Sequence, residues 1–211
     1  MKIALIGASG HIGSRILNEA LSRGHQVTAI VRDPAKITTT HNNLHIVAGD
    51  VLNTEELASK LKGHDIVISA FSPGFENPFL LVDASSSIIK ATKKAGVDRL
   101  IAVGGAGSLE VAPGVQLMNT SHFPAAWKNI AQAHADALKV YLTETDLKWT
   151  NFSPAALIEP GTRTGKFRLG ENQLVADEQG NSKISMEDYA IAILDEAENR
   201  KYIKKRFTIG Y

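Results

Sequence analysis

The sequence predicts a doubly wound α/β domain on a parallel sheet, and three observations carry that prediction. Short apolar runs rich in β-branched residues alternate with stretches of helical periodicity. Those runs are apolar on nearly every residue, as strands covered on both faces require. A glycine-rich turn joins the first run to the first helical stretch.

Ile3 to Ile6 reads as a buried strand. A helix follows from Ile12, with Ile16, Leu17, Ala20 and Leu21 on its apolar face and Gly24 as its stop. Gln26 to Val31 is the second strand and runs into the turn Arg32-Asp33-Pro34. Leu44 to Ala48 is the third, ending at Gly49-Asp50-Val51. Asn53 caps a helix through Leu61, with Glu55 and Glu56 in the first turn where the helix dipole favours them. The fourth strand spans Asp65 to Ala70, and a longer helix from Pro78 to Ala95 is stopped by Gly96. Arg99 to Val103 is the fifth strand. Residues 104–123 lack periodicity and read as a functional loop before a helix from Pro124 to Thr143. Leu147 to Phe152 is the sixth strand, and 157–183 read as loops and short strands. Ser185 with Asp188 resembles a capping box opening the last helix, and Arg206 to Ile209 closes the sheet. There is no linker, repeat or low-complexity tract, so 1–211 reads as one domain. Its irregular C-terminal third is expected over the carboxyl edge of the sheet.

With 23 Lys and Arg against 22 Asp and Glu, the chain lacks the basic excess that nucleic acid or an anionic membrane selects. No run approaches the roughly 20 apolar residues that span a bilayer. The absence of cysteine excludes disulfides, thiolate nucleophiles and cysteine-held metals, and is consistent with a cytoplasmic address. Oligomeric state is not legible.

Gly7-Ala8-Ser9-Gly10-His11-Ile12-Gly13 has the strand before it and the helix after it that a dinucleotide-binding turn needs. Gly7 permits the tight turn, Gly10 admits a pyrophosphate, and Gly13 lets helix and strand pack closely. The free amides of the helix start then face the phosphates. At the end of the second strand, Arg32 can bond a 2′-phosphate bidentately and Lys36 can reinforce it, which favours NADP(H) over NAD(H). Asp33, the next residue, keeps a ribose-binding acid within reach and NAD open.

On Gly7–Gly13, Val31-Arg32-Asp33-Pro34 and Gly49-Asp50-Val51 together, the chain resembles the atypical short-chain dehydrogenase/reductases of NAD(P)-binding, NmrA-like character. The stretches Val103–Leu109, Thr150–Ala155 and Ile184–Ala190 narrow the resemblance to bacterial NADH-flavin reductases, relatives of the biliverdin reductase B/flavin reductase group. The resemblance covers Met1 to Tyr211 and implies a Rossmann-type fold. It implies that Asp50 and Val51 flank the adenine, with Asp50 accepting from its exocyclic amine. It further implies that Ser69, Ala70 and Phe71 line the cofactor near its ribose and phosphates. Gly104 and Gly105 would lie beside the nicotinamide, and Ser153-Pro154-Ala155 would bound the pocket.

Ordinary short-chain dehydrogenases pair a phenol with a Lys four residues on, to exchange a proton with the substrate oxygen. None of Tyr141, Tyr189, Tyr202 and Tyr211 has that Lys. The departure disfavours alcohol–ketone interconversion and epimerisation. It suits hydride transfer to a dissociable flavin or another planar acceptor, where solvent supplies the proton. It equally suits a non-catalytic NAD(P) sensor of NmrA-like type acting through a protein partner. Candidates for the acceptor wall are His122, Phe123 and Trp127. Ser108 and His134 are the candidate catalytic side chains. Trp127, Ile130, Ala131, His134, Leu138, Tyr141 and Leu142 share one helical face, so core packing explains Trp127 and His134 equally well. Arg163 and Lys166 are candidates for a flavin phosphate or for solvent. Metal spacing, a nucleophile elbow and a P-loop are all missing.

Overall fold

A computed structural model describes residues 1–211. Twelve strands and five α-helices form in this order: β1 Lys2–Ile6, α1 His11–Ser22, β2 Gln26–Val31, β3 Leu44–Ala48, α2 Thr54–Leu61, β4 Ile66–Ser69, α3 Leu80–Lys94, β5 Arg99–Val103, β6 Glu110–Ala112, β7 Val115–Gln116, α4 Lys128–Leu142, β8 Lys148–Ser153, β9 Leu157–Glu159, β10 Arg168–Gly170, β11 Lys183–Ser185, α5 Met186–Asn199 and β12 Lys205–Gly210. Eight strands make the central sheet in the order β10-β12-β8-β5-β4-β1-β2-β3, parallel except for β10. This is a Rossmann-type fold. The order reverses between β1 and β4, the switch point at which open α/β sheets take ligands outside the carboxyl ends of their strands.

The sheet buries both faces. One cluster, with Leu5, Leu17, Phe152, Ile193 and Phe207, lies under α1 and α5. The other, with Ile6, Leu57, Ile88, Leu100 and Trp149, lies under α2 and α3. The caps read from the sequence form: Asn53 Oδ1 accepts from Glu56 N–H at 3.2 Å, and Ser185 Oγ from Asp188 N–H at 3.0 Å. The fully buried Arg99 pairs with Glu196 at 2.6 Å and ties β5 to α5. Burial lowers the Arg99 guanidinium to about 10, while Glu196 opposes the shift.

Three expectations are corrected. The loop 104–123 contains a hairpin, β6–β7, turning at Gly114 with φ +73°. The helix expected from Pro124 begins as a 3₁₀ turn, Ala125–Trp127, with the α-helix proper from Lys128. The C-terminal third does not simply cap the carboxyl edge, because β12 and β10 extend the sheet and α5 packs on its face with α1. No helix is long and apolar enough to cross a membrane.

Candidate active site

Two hollows lie side by side along the carboxyl edge. The first, of about 150 Å³, is lined by the ends of β1, β2, β3 and β4: Ile6, Gly7, Ser9, Gly10, Ile30, Val31, Arg32, Gly49, Val51, Ala70, Phe71 and Ser72. Its floor is main chain. Gly7 has φ +81°, and a Cβ there would lie 2.7 Å from the Ala70 carbonyl oxygen. A Cβ on Gly13 would sit 2.1 Å from the Gly7 oxygen, so helix and turn touch backbone to backbone. The first amide of this segment to find a helical acceptor is Ser14 N–H, which reaches Gly10 O at 2.8 Å. The amides of His11, Ile12 and Gly13 therefore have no acceptor within the protein, and no acid occupies the first turn of α1. An anion is what such a helix start accepts, so the turn fits a dinucleotide pyrophosphate.

At the far end of this hollow Arg32 is exposed and makes no ion pair or hydrogen bond. Asp33 is occupied locally: its Oδ1 accepts from Ala35 N–H at 3.1 Å and caps the 3₁₀ turn Pro34–Lys36. Asp50 is exposed, one carboxylate oxygen accepting from Leu52 N–H at 2.9 Å. Ser69 is buried at the end of β4, its hydroxyl 3.5 Å from the Phe71 amide.

The second hollow, of about 390 Å³, opens at the ends of β5 and β8. Gly104–Gly107 and Pro154–Ile158 form its walls along the sheet, and Leu117, Phe123, Pro124, Trp127, Ile130, Ala131 and His134 close the rest. β4 and β5 are hydrogen-bonded neighbours, so the two hollows adjoin. Gly104 is held by its N–H, which donates a hydrogen bond to the Phe152 carbonyl oxygen at 2.7 Å, an oxygen that also accepts from Tyr189 Oη at 2.5 Å. A Cβ at Gly105 would meet His134 Cβ at 2.7 Å, and one at Gly107 would meet Ala131 Cβ at 2.6 Å. Glycine is what lets this loop lie against α4. No Lys, Arg, Asp or Glu lines the cavity. His134 is the one ionisable side chain there, and burial lowers its imidazole to about 4, so it is neutral at ordinary pH.

Some candidate side chains fall elsewhere. Ser108 is buried outside the lining, its hydroxyl accepting from Arg206 Nη1 at 2.9 Å. His122 is exposed and does not line the cavity, whereas Phe123 does. Trp127 is not core: it is 51% exposed and meets Phe75 edge to face, with ring centroids 4.9 Å apart. Leu142, expected on the same buried face, is also exposed. Arg163 is spoken for by a two-pronged ion pair with Glu19, and Lys166 is solvated. Ser153 is buried without a hydrogen-bond partner, while Pro154 reaches the cavity. Phe75, Leu117 and Ile158 gave no sequence signal, because each lies in or beside an aperiodic loop or a short strand. None of the four tyrosines lines either hollow. Tyr141 is buried and pushed up to about 12, and Tyr211 Oη is bonded to Asp188 at 2.8 Å.

Residues 7–200 match the family model described as NAD(P)H-binding. The chain belongs to the NAD(P)H-binding family. Among solved structures, this family member is similar to a provisionally named exported protein from Burkholderia pseudomallei, at 50% identity and TM-score 0.92 with both chains fully covered. A Bacteroides thetaiotaomicron protein provisionally named an epimerase is 46% identical, with TM-score 0.94, covering 100% of this chain and 96% of that one. A Streptococcus pneumoniae protein provisionally named an NADH-flavin reductase is 36% identical, with TM-score 0.89 and coverage of 100% and 99%.

Proposed function

We propose that this NAD(P)H-binding protein is an NADPH-preferring reductase of free flavin or a similar uncharged planar acceptor, such as a quinone or a tetrapyrrole-like ring. One observation carries the reading: an apolar cavity without charged residues adjoins an amide-lined hollow, and no tyrosine reaches either. Its volume is within the range of small-molecule sites.

Gly7, Ser9, Gly10, His11, Ile12 and Gly13 would hold the pyrophosphate, and Arg32 the 2′-phosphate. Asp50 and Val51 would flank the adenine, Asp50 through its free carboxylate oxygen. Ser69, Ala70 and Phe71 would border the ribose side, and Gly104, Gly105, Ser153 and Pro154 the nicotinamide side. The reduced nicotinamide supplies a hydride when bound. In this single domain the segment 104–123 would supply part of the acceptor-side wall, whereas of 157–183 only Leu157 and Ile158 reach the cavity. Phe123 and Trp127 offer flat surfaces to a ring, which orients it and excludes water. His134 is neutral, so it orients an acceptor carbonyl or ring nitrogen by hydrogen bonding and delivers no imidazolium proton. The proton that accompanies hydride arrives from solvent. Nothing in this reading needs a membrane or nucleic acid, and a cytoplasmic setting suits it.

The rival is a sensor without turnover, for which the exposed Phe75 and Trp127 would be protein-facing. NADPH oxidation followed with riboflavin, FMN, quinones and small carbonyls separates the two. Turnover with flavin or quinone supports the reductase; tight NADPH binding with no acceptor consumed supports the sensor. Epimerase chemistry lacks its phenol here and would show as product formation without net NADPH consumption.

A further inference from the structure

The loop between β4 and α3 lines the first hollow and touches the rim of the second. Ala70, Phe71 and Ser72 at its start line the dinucleotide side. Three residues on, Phe75 touches Trp127, which lines the acceptor cavity. From Ser72 to Glu76 the loop makes no main-chain hydrogen bond to the rest of the protein; its one local bond is Gly74 N–H to Ser72 Oγ at 3.4 Å. Gly74, with φ +80°, turns the chain immediately before Phe75. The edge-to-face pair is thus a side-chain tether from this loop to the acceptor side. Both rings remain half exposed, at 60% and 51%, so the pair is not a core contact. Large aromatic rings left in water at the rim of an apolar cavity are what a planar ligand would cover.

We propose that Phe75 is an acceptor-specificity residue: with Trp127 it forms the outer wall of the cavity, and contacts at Ala70–Ser72 set its position. Acceptor therefore binds best after the dinucleotide. The inference rests on the reductase reading for the identity of the acceptor, but binding tests it without turnover.

The chain has two tryptophans, Trp127 at 51% exposure and Trp149 at 2%, so emission from Trp127 can be isolated. The difference between wild type and Trp127→Phe reads it without disturbing the buried Trp149. NADP⁺ should shift this emission in the wild type and leave it unmoved in Phe75→Ala. Calorimetry with riboflavin on NADP⁺-saturated protein should show Phe75→Ala weakening riboflavin about three- to tenfold, the worth of one aromatic contact, with restoration by Phe75→Tyr. In turnover the loss should fall on the acceptor KM and spare kcat. Riboflavin affinity indifferent to NADP⁺, or unchanged in Phe75→Ala, would overturn the inference. Phe75-dependent riboflavin binding in a protein that never oxidises NADPH would uphold it and sink the reductase reading instead.

Discussion

The two halves of the cleft are built from different material. The dinucleotide half is main chain: free amides at the start of α1, a left-handed glycine and a helix touching a turn. The acceptor half is mostly side chain, set over the glycine loop after β5: aromatic and aliphatic groups from α4, the 3₁₀ turn before it and the segment after β8. Main-chain sites tolerate almost no displacement, because the free amides are carried on backbone that packs directly against backbone. Side-chain sites can be reshaped while the sheet stays intact. One half is therefore suited to a constant ligand and the other to an acceptor defined by shape.

Glycine substitutions test that contrast most severely. Gly13→Ala drives a methyl to 2.1 Å from the Gly7 carbonyl, and only backbone movement relieves it. Overpacking of this kind costs about 1–3 kcal/mol of stability. Misaligning two amide–phosphate bonds, each about 1.5 kcal/mol or more, should weaken NADPH roughly a hundredfold or more. Gly107→Ala instead presses on Ala131 Cβ at 2.6 Å and moves α4. Acceptor KM should rise about tenfold while NADPH affinity stays within about twofold. Equal losses of NADPH binding in both variants would erase the distinction between the halves.

Arg32→Ala is next in size. The free guanidinium lines the hollow and faces no competing partner, whereas Asp33 caps its turn through Oδ1 and does not line the hollow. Loss of one charge-assisted pair, about 1.5–3 kcal/mol, should cut the preference for NADPH over NADH at least about tenfold. The measurement is the ratio of the two dissociation constants in wild type and variant. An unchanged ratio would return the selectivity to some other group.

A smaller effect follows from His134. Burial holds its imidazole at about 4, below the ordinary 6.5, so the native state stays neutral where the unfolded chain takes up a proton. Stability should therefore fall as pH drops from about 6.5 towards 4, since the unfolded state binds the extra proton there. Above about 7 the residue contributes no slope. Thermal melts of wild type and His134→Gln across that range should diverge, with the variant the flatter. Parallel curves would show that His134 does not titrate as its burial dictates.

The same division explains what the sequence made legible. Strands such as Gln26–Val31 and Arg99–Val103, the caps at Asn53 and Ser185, and the glycine turn are local, set by a few neighbours and backbone sterics. A short strand within 157–183 was legible, but the antiparallel pairing of β10 was not, because its partner β12 lies some 40 residues away. Ser108 was misjudged for the same reason: the Arg206 that occupies its hydroxyl is 98 residues distant. Trp127 satisfied a helical apolar period, yet the 3₁₀ start of that segment turns it outward. Phe75 sits in a loop without period, and only the fold brings it to Trp127.

The smallest effect probes the acceptor half for charge. No cation lines its cavity, Arg206 is engaged by Ser108 and Asn172, and Lys128 beside Trp127 is exposed and unpaired. An exposed lysine meeting the phosphate of FMN is worth at most about 1 kcal/mol, so FMN should outdo riboflavin in kcat/KM by no more than about fivefold. Salt near 0.15 M should erase most of that margin, because the Debye length falls to about 8 Å. Lys128→Ala should do the same at low salt while leaving riboflavin turnover alone. An FMN preference well above tenfold that survives salt would demand a buried cation cluster at the acceptor. The cavity lining contains none, so FMN would then have to be reduced from a different position on the edge of the sheet.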